Sequence, residues 1–304
     1  MTKAKRDSTH KQYATYLDAW FKHCQTRALN PTQAPVHEGL EFLQALRMSR
    51  SLGYSATNTA RSALSSVLKC PDGQQFGQHP FVKLFMKGVF NDNPPVPRYS
   101  DTWDPDTVLS FLRHWSPASA LDLKYLTLKL TVLILLVSAQ RVQTLFHLDL
   151  SLLVRSSSSF TFSIGTLLKQ SRPGFSNPTI RLKAYAPDRR LCVFTYLREY
   201  LQRTETLRKN ENALLLTYRP PHKKASKDTI ARWVKIVLTM AGIDSCKYTA
   251  HSIRAASVSA AKRGGATVHD ILTNAGWSST STFAKYYDKT IVTTTPFDVA
   301  VLGN

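Results

Sequence analysis

Acidic residues are scarce in this chain: 20 Asp and Glu stand against 40 Lys and Arg in 304 residues, a formal net charge of +20 and a pI near 10.0. That imbalance argues for a polyanionic partner, nucleic acid before membrane. A merely solvated basic surface is the plain alternative, although the excess is spread along the chain instead of being confined to a tail. Long apolar runs are missing as well. The opening MTKAKRDSTHKQ has no signal-peptide core, and the most apolar internal run, Thr131 to Val137, falls far short of the roughly 20 residues that cross a bilayer. A soluble, intracellular protein is expected. Cysteine is sparse: Cys24, Cys70, Cys192 and Cys246 form no CxxC pair and have no His at metal-ligand spacing, so they read as reduced, mostly structural thiols. No acidic cluster of the two-metal nuclease kind stands out. Neither a metal nor another cofactor is expected.

What is present describes a globular chain. Hydrophobic residues make up 43%, and the length suits two domains. Apolar residues recur at three- and four-residue steps through Tyr13, Tyr16, Leu17, Trp20, Phe21 and Cys24, with Ser8 or Thr9 as candidate caps. Similar helical patterns follow over Val36 to Met48, Ser55 to Cys70 and Pro80 to Phe90. The segment NDNPPVPRYSD, Asn91 to Asp101, carries three prolines and is expected to be an interdomain linker, its Arg98 a solvated charge or a phosphate contact. Residues 1–95 are therefore expected to form a helical domain and residues 96–304 a second, mainly α domain with a small β-sheet.

In the second domain, Asp104 and Pro105 suit the start of a helix, and a long apolar helix is expected from Ala118 to Ala139. Two β-like runs, Phe160 to Leu168 and Thr179 to Tyr185, flank KQSRPGFSNP and read as a hairpin with Lys169 and Arg172 at its tip. Further helices are expected at Leu191 to Thr204, Ser226 to Ala241, Thr249 to Arg263 and Thr267 to Ala275, and a strand at Ala213 to Tyr218.

Chemistry-bearing residues come in a fixed order. Arg141 ends SAQR, Lys169 follows 28 residues later, and His251 and Arg254 stand three apart in AHSIRAAS, where a helix presents both on one face. Trp277 follows Arg254 by 23 residues, and Tyr286 follows Trp277 by nine in GWSSTSTFAKYYDK. HxxR alone is a weak signal. The ordered set resembles the active site of the tyrosine recombinase or phage integrase family, which includes the Cre and Xer recombinases. The resemblance covers roughly Asp101 to Lys289, and more loosely the N-terminal region, similar to the family's core-binding domain. The wording SAQRVQTL, LLKQSRPG, AHSIRAAS and AGWSSTSTFAKYY looks most like recombinases of eukaryotic DIRS and Ngaro-type retrotransposons, which implies a nuclear protein.

The resemblance implies a site-specific recombinase or integrase that cuts DNA through a 3′-phosphotyrosyl link, without metal or ATP. It further implies a homotetramer on two duplex DNA sites, with no membrane and no small-molecule substrate. A phosphodiester spreads negative charge over its non-bridging oxygens in the transition state, so fixed cations must meet it there. Arg141 and Arg254 suit this because each guanidinium stays charged and offers paired donors. His251 can donate to the phosphate or accept the tyrosine proton. Trp277 stands where many family members have a second His, and its indole N–H can donate but not carry a proton away. Lys169 resembles the general acid for the leaving 5′ oxygen, a role for which Arg172 is too weak an acid. Tyr286 is the expected nucleophile, with Tyr287 its rival and only the nine-residue step to separate them. Where the family commonly has an acidic residue three positions after its first Arg, this chain has Thr144, with Asp149 a candidate substitute brace. A catalytically silent DNA-binding protein and a type IB topoisomerase remain the competing readings. Beyond the tyrosines, Thr293 to Pro296 reads as an extended tether and Phe297, Val299, Val301 and Leu302 as an apolar cluster that docks on a neighbouring subunit or on its own domain.

Overall fold

The structure is a computed structural model that describes residues 6–96, 100–169, 171, 173–174, 177–277 and 279–292, and within these not the side chains of residues 282, 285, 286 and 292. Arg98, Arg172, the Thr293 to Pro296 tether and the apolar tail beyond it lie outside the described residues. The chain divides into two compact units, Met1–Arg98 and Tyr99–Asn304. Mainly helical with small sheets, it has the fold class that the sequence pattern implies.

The first unit holds four helices: α1 (Asp7–Thr26), α2 (Val36–Arg50), α3 (Tyr54–Leu64) and α4 (Pro80–Asp92). The apolar stripes converge on Trp20, Phe42, Leu43, Leu64, Leu68, Phe76 and Val82. Trp20 keeps its indole N–H satisfied in this core by donating to Pro31 O at 2.9 Å. Gly39, inside α2, lies directly under the Phe76 ring, which a Cβ there would strike. Two expectations fail here. Neither Ser8 nor Thr9 caps α1, which begins at Asp7 and gains instead from an acidic side chain near its N-terminus. The helix expected to reach Cys70 stops at Leu64, where Ser66 Oγ donates back to Ala63 O at 2.7 Å and Ser65 Oγ accepts the Gly77 N–H at 3.0 Å.

The second unit is built around α6 (Leu123–Ser138), whose residues from Leu126 to Leu135 are all buried. Its Thr127, Thr131 and Ser138 hydroxyls donate to carbonyls four residues back, which lets polar side chains sit in an apolar core. Around it pack α5 (Pro105–Arg113), α7 (Val142–Phe146), α8 (Val193–Thr204), α9 (Lys227–Met240) and α10 (Ser252–Arg263). Asp104, Asp122 and Ser226 cap α5, α6 and α9 by accepting backbone N–H bonds, as their residue types allow. The long helix begins at Leu123, later than expected, because Ala118–Ala120 forms a 3-10 turn before the Asp122 cap.

A three-stranded antiparallel sheet places β3 (Ser159–Phe162) between β2 (Leu153–Arg155) and β4 (Ile180–Lys183). The hairpin strands are shorter than expected, since the Asn177 amide donates to Ile164 O and Thr166 O where a strand partner would otherwise stand. Ala213 to Tyr218 is not a strand but has two isolated bridges. The Tyr200 hydroxyl accepts the Leu216 N–H, and Arg208 donates to Ala213 O and Leu214 O. The sequence pattern did not foresee the helix α12 (Thr280–Tyr286), which follows α11 (Val268–Ala275), or the strands β1 (Asp101–Trp103) and β5 (Thr290–Val292). These two strands pair in parallel, which ties the segment just after the tyrosines to the start of the unit.

Candidate active site

Arg141 is placed by a reversal after α6. Ala139 takes a left-handed conformation, φ 51°, which turns Gln140 into the core and sets Arg141 at the N-cap of α7. Gln140 is 1% exposed. It donates to Asn274 O at 2.5 Å and accepts from Thr144 Oγ1 at 3.2 Å, so the Arg141 turn is bolted to α11. Thr144, at the position where an acid was expected, therefore serves the backbone turn. Asp149 is committed locally, accepting the N–H and hydroxyl of Ser151.

His251 is the N-cap of α10 and Arg254 lies in its first turn. Ser252 between them is buried and fixed from two sides, by Trp103 Nε1 donating to its Oγ at 2.8 Å and by its own hydroxyl donating to Thr249 O at 2.7 Å. Arg254 is fully buried. One of its donors, Nη2, meets Ala275 O at 2.6 Å, while Nε and Nη1 have no hydrogen-bond acceptor among the described residues. Burial and the charge of Arg141 push its pKa down to about 9. Two buried donors without an acceptor carry a desolvation penalty that an incoming anion would relieve.

Gly276 closes α11 in the left-handed region, φ 67°, a conformation that favours glycine, and the chain reverses so that Trp277 lies over Arg254, 4.4 Å from ring to guanidinium. Trp277 packs with Val258, Ile271, Ala275 and Phe283 in a small core of its own. Its indole N–H is buried without an acceptor among the described residues, as are the two donors of Arg254.

The His251 imidazole is pushed down to about 4, by desolvation of the ring first and then by the charges of Arg141, Arg254 and Lys169, although the residue as a whole is exposed to solvent. Lys169, exposed in the segment between β3 and β4, thus adds its field to the site. The structure accordingly brings together Arg141, His251, Arg254 and Trp277, with Lys169 close enough to act on His251 electrostatically. The Tyr286 side chain lies outside the described residues. Tyr287 is in the site: its hydroxyl is 3.2 Å from His251 Nε2, and its ring lies 4.4 Å from Trp277 and 5.4 Å from the Arg254 guanidinium.

The sequence analysis missed Gln140, Ser252 and Ser259. Ser259 signals itself only by spacing: His251, Arg254 or Ala255, Ser259 and Lys262 follow one face of α10. Among the described residues, no group of three or more His, Cys, Asp and Glu is gathered to hold a metal ion, and no helix is long and apolar enough to cross a membrane.

No family model and no curated protein matches the sequence. Solved structures do match the fold. The chain is similar to the XerH site-specific recombinase bound to a palindromic difH substrate in a post-cleavage complex, at 15% identity and a TM-score of 0.58, over 83% of this chain and 68% of that one. It is similar to a lambda integrase dimer bound to a COC′ core site, at 14% identity and a TM-score of 0.54, over 94% and 90%. It is also similar to the Tn1549 transposon integrase in complex with circular intermediate DNA, at 14% identity and a TM-score of 0.51, over 90% and 86%. At these identities the likeness establishes the tyrosine recombinase fold.

Proposed function

We propose that this chain is a DNA strand-exchange enzyme of the tyrosine recombinase kind, acting in the nucleus for a mobile element of the DIRS or Ngaro type. The observation that carries the reading is the buried Arg254, whose unused Nε and Nη1 donors lie beside the unused indole N–H of Trp277 and a tyrosine hydroxyl. Such a set is built to receive an anion with several oxygen acceptors and to expose it to a nucleophile. A scissile phosphodiester fits: Arg254 and Trp277 donate to its non-bridging oxygens, Arg141 adds charge, and Lys169 protonates the departing 5′ oxygen. The arginines neutralise the phosphate, so this chemistry has no need of a divalent metal.

The product is a 3′-phosphotyrosyl link that stores the phosphodiester energy until a 5′ hydroxyl of a partner strand reverses it. Exchange between two duplexes requires several protomers, and a homotetramer on paired sites is the assembly we infer. The helical first unit, with the excess of basic charge, completes the hold on duplex DNA.

Nicked duplexes of randomised sequence, from which a short cleaved strand diffuses away, test the proposal. A protein–DNA adduct that survives denaturation and forms equally well in EDTA is the expected result. Retarded DNA with no covalent adduct would make the chain a silent DNA-binding protein instead.

A further inference from the structure

The nine-residue step from Trp277 names Tyr286, but the geometry points one residue on. Resting on the recombinase reading above, we propose that Tyr287 is the nucleophile and that it is delivered in cis, held against the same α10 that carries His251 and Arg254.

Tyr287 is seated by four contacts. Its hydroxyl lies 3.2 Å from His251 Nε2, and its ring packs on Trp277 at 4.4 Å. Its backbone N–H donates to Phe283 O at 2.9 Å at the end of α12, and its carbonyl accepts from Ser259 Oγ at 2.9 Å. Ser259 Oγ also accepts the Lys289 N–H at 3.2 Å, so one nearly buried hydroxyl grips the backbone on both sides of Asp288. Asp288 itself pairs with Lys262 at 2.6 Å, one helical turn further along α10. Along α10, His251 and Arg254 meet the reacting groups at its start, and Ser259 and Lys262 further on hold the chain that bears the tyrosine. The parallel pairing of β5 with β1 closes that segment from the far end.

The reaction balances with groups already in place. Tyr287 Oη forms the bond to phosphorus as the bond from phosphorus to the 5′ oxygen breaks. The phenol proton passes to His251 Nε2, and the leaving oxygen takes a proton from Lys169. Desolvation and the charges of Arg141, Arg254 and Lys169 keep the imidazole neutral at physiological pH, so Nε2 can receive the proton.

The experiment traps the adduct of the full-length protein on the randomised nicked duplexes and maps the modified residue by mass spectrometry, for the parent, Tyr286→Phe and Tyr287→Phe. An adduct on Tyr287 that persists in Tyr286→Phe and vanishes in Tyr287→Phe is expected. An adduct on Tyr286 that survives Tyr287→Phe overturns this assignment and leaves the recombinase reading standing. No adduct in the parent overturns both. Mixing Tyr287→Phe with Arg254→Ala tests delivery. Cis attack predicts no recovery of cleavage, because neither protomer has both groups, and recovery would show that the tyrosine comes from a neighbour.

Discussion

Lys129 and Arg254 are both fully buried cations of the second unit, and the protein treats them in opposite ways. Lys129 sits in the middle of α6 and spends its protons on structure: Nζ donates to Leu112 O at 2.7 Å and to Trp115 O at 2.6 Å, and lies 3.9 Å from the centre of the Tyr196 ring. It ties the end of α5 to the central helix, as a second donor to two carbonyls that also accept from the Trp115 N–H and the Tyr196 hydroxyl. Arg208 follows the same rule, with its donors on Thr204, Ala213 and Leu214. Arg254 has a comparable burial but leaves two donors idle. Fold stability alone would not select that arrangement, because an unsatisfied buried donor costs about 1–3 kcal/mol. The contrast separates a cation that completes the fold from one that waits for a ligand.

The largest effect expected is on chemistry. Arg254→Leu should slow adduct formation by about 10²–10³-fold or more, since it removes charge preorganised for the transition state. Its thermal midpoint should stay the same or rise, because a buried charge without an anionic partner is removed. Cleavage within about threefold of the parent would show that the anion seat lies elsewhere.

Lys129→Leu should do the reverse. Stripping the donor from Leu112 O and Trp115 O should destabilise the unit by about 1–3 kcal/mol, read by denaturant unfolding, while adduct formation per folded molecule stays at the parent rate. Lys129 also predicts a pH dependence with a definite sign. Burial pushes its pKa down to about 7, well below the ordinary lysine value of 10.5. Between those two values the unfolded chain binds more protons than the folded one, so the Lys129 contribution makes stability rise with pH across that window. Below about pH 7 the burden of charging it is present in full. Unfolding curves from pH 7 to 10 should therefore flatten in Lys129→Leu relative to the parent, and an unchanged slope would refute the assignment.

A smaller effect is expected from Trp277→Phe, which keeps a ring over Arg254 and loses only the indole donor. A hydrogen bond from this neutral donor to a charged phosphate oxygen is worth about 1.5–3 kcal/mol, so cleavage should slow roughly ten- to a hundredfold. A loss as large as that of Arg254→Leu would mean that the ring's packing on Tyr287 and Arg254 matters more than its N–H.

Much of this was legible in the chain itself. Periodicity located the helices because each buries one face, and α6 betrayed itself by being apolar all round. Arg141, Lys169, His251, Arg254 and Trp277 stood out because their order and spacing resemble the tyrosine recombinase site, and a helix brings His251 and Arg254, three apart, onto one face. Short elements were not legible. β1 and β5 have three residues each, too few for a pattern, and they exist because they pair with each other across nearly the whole second unit. The supposed strand at Ala213 to Tyr218 failed because side chains of Tyr200 and Arg208 took over its backbone groups.

Taken alone, the sequence determined the charge, the helical frame and the cast of cationic residues, since composition and local spacing suffice for these. Which buried cation is structural and which awaits an anion was decided only by tertiary structure, because that distinction depends on whether distant carbonyls, such as those of Leu112 and Trp115, reach the donors. The same holds for the tyrosines. Spacing from Trp277 counts residues along the chain, whereas the end of α12, the Ser259 grip and the β1–β5 pairing bring the Tyr287 hydroxyl to His251.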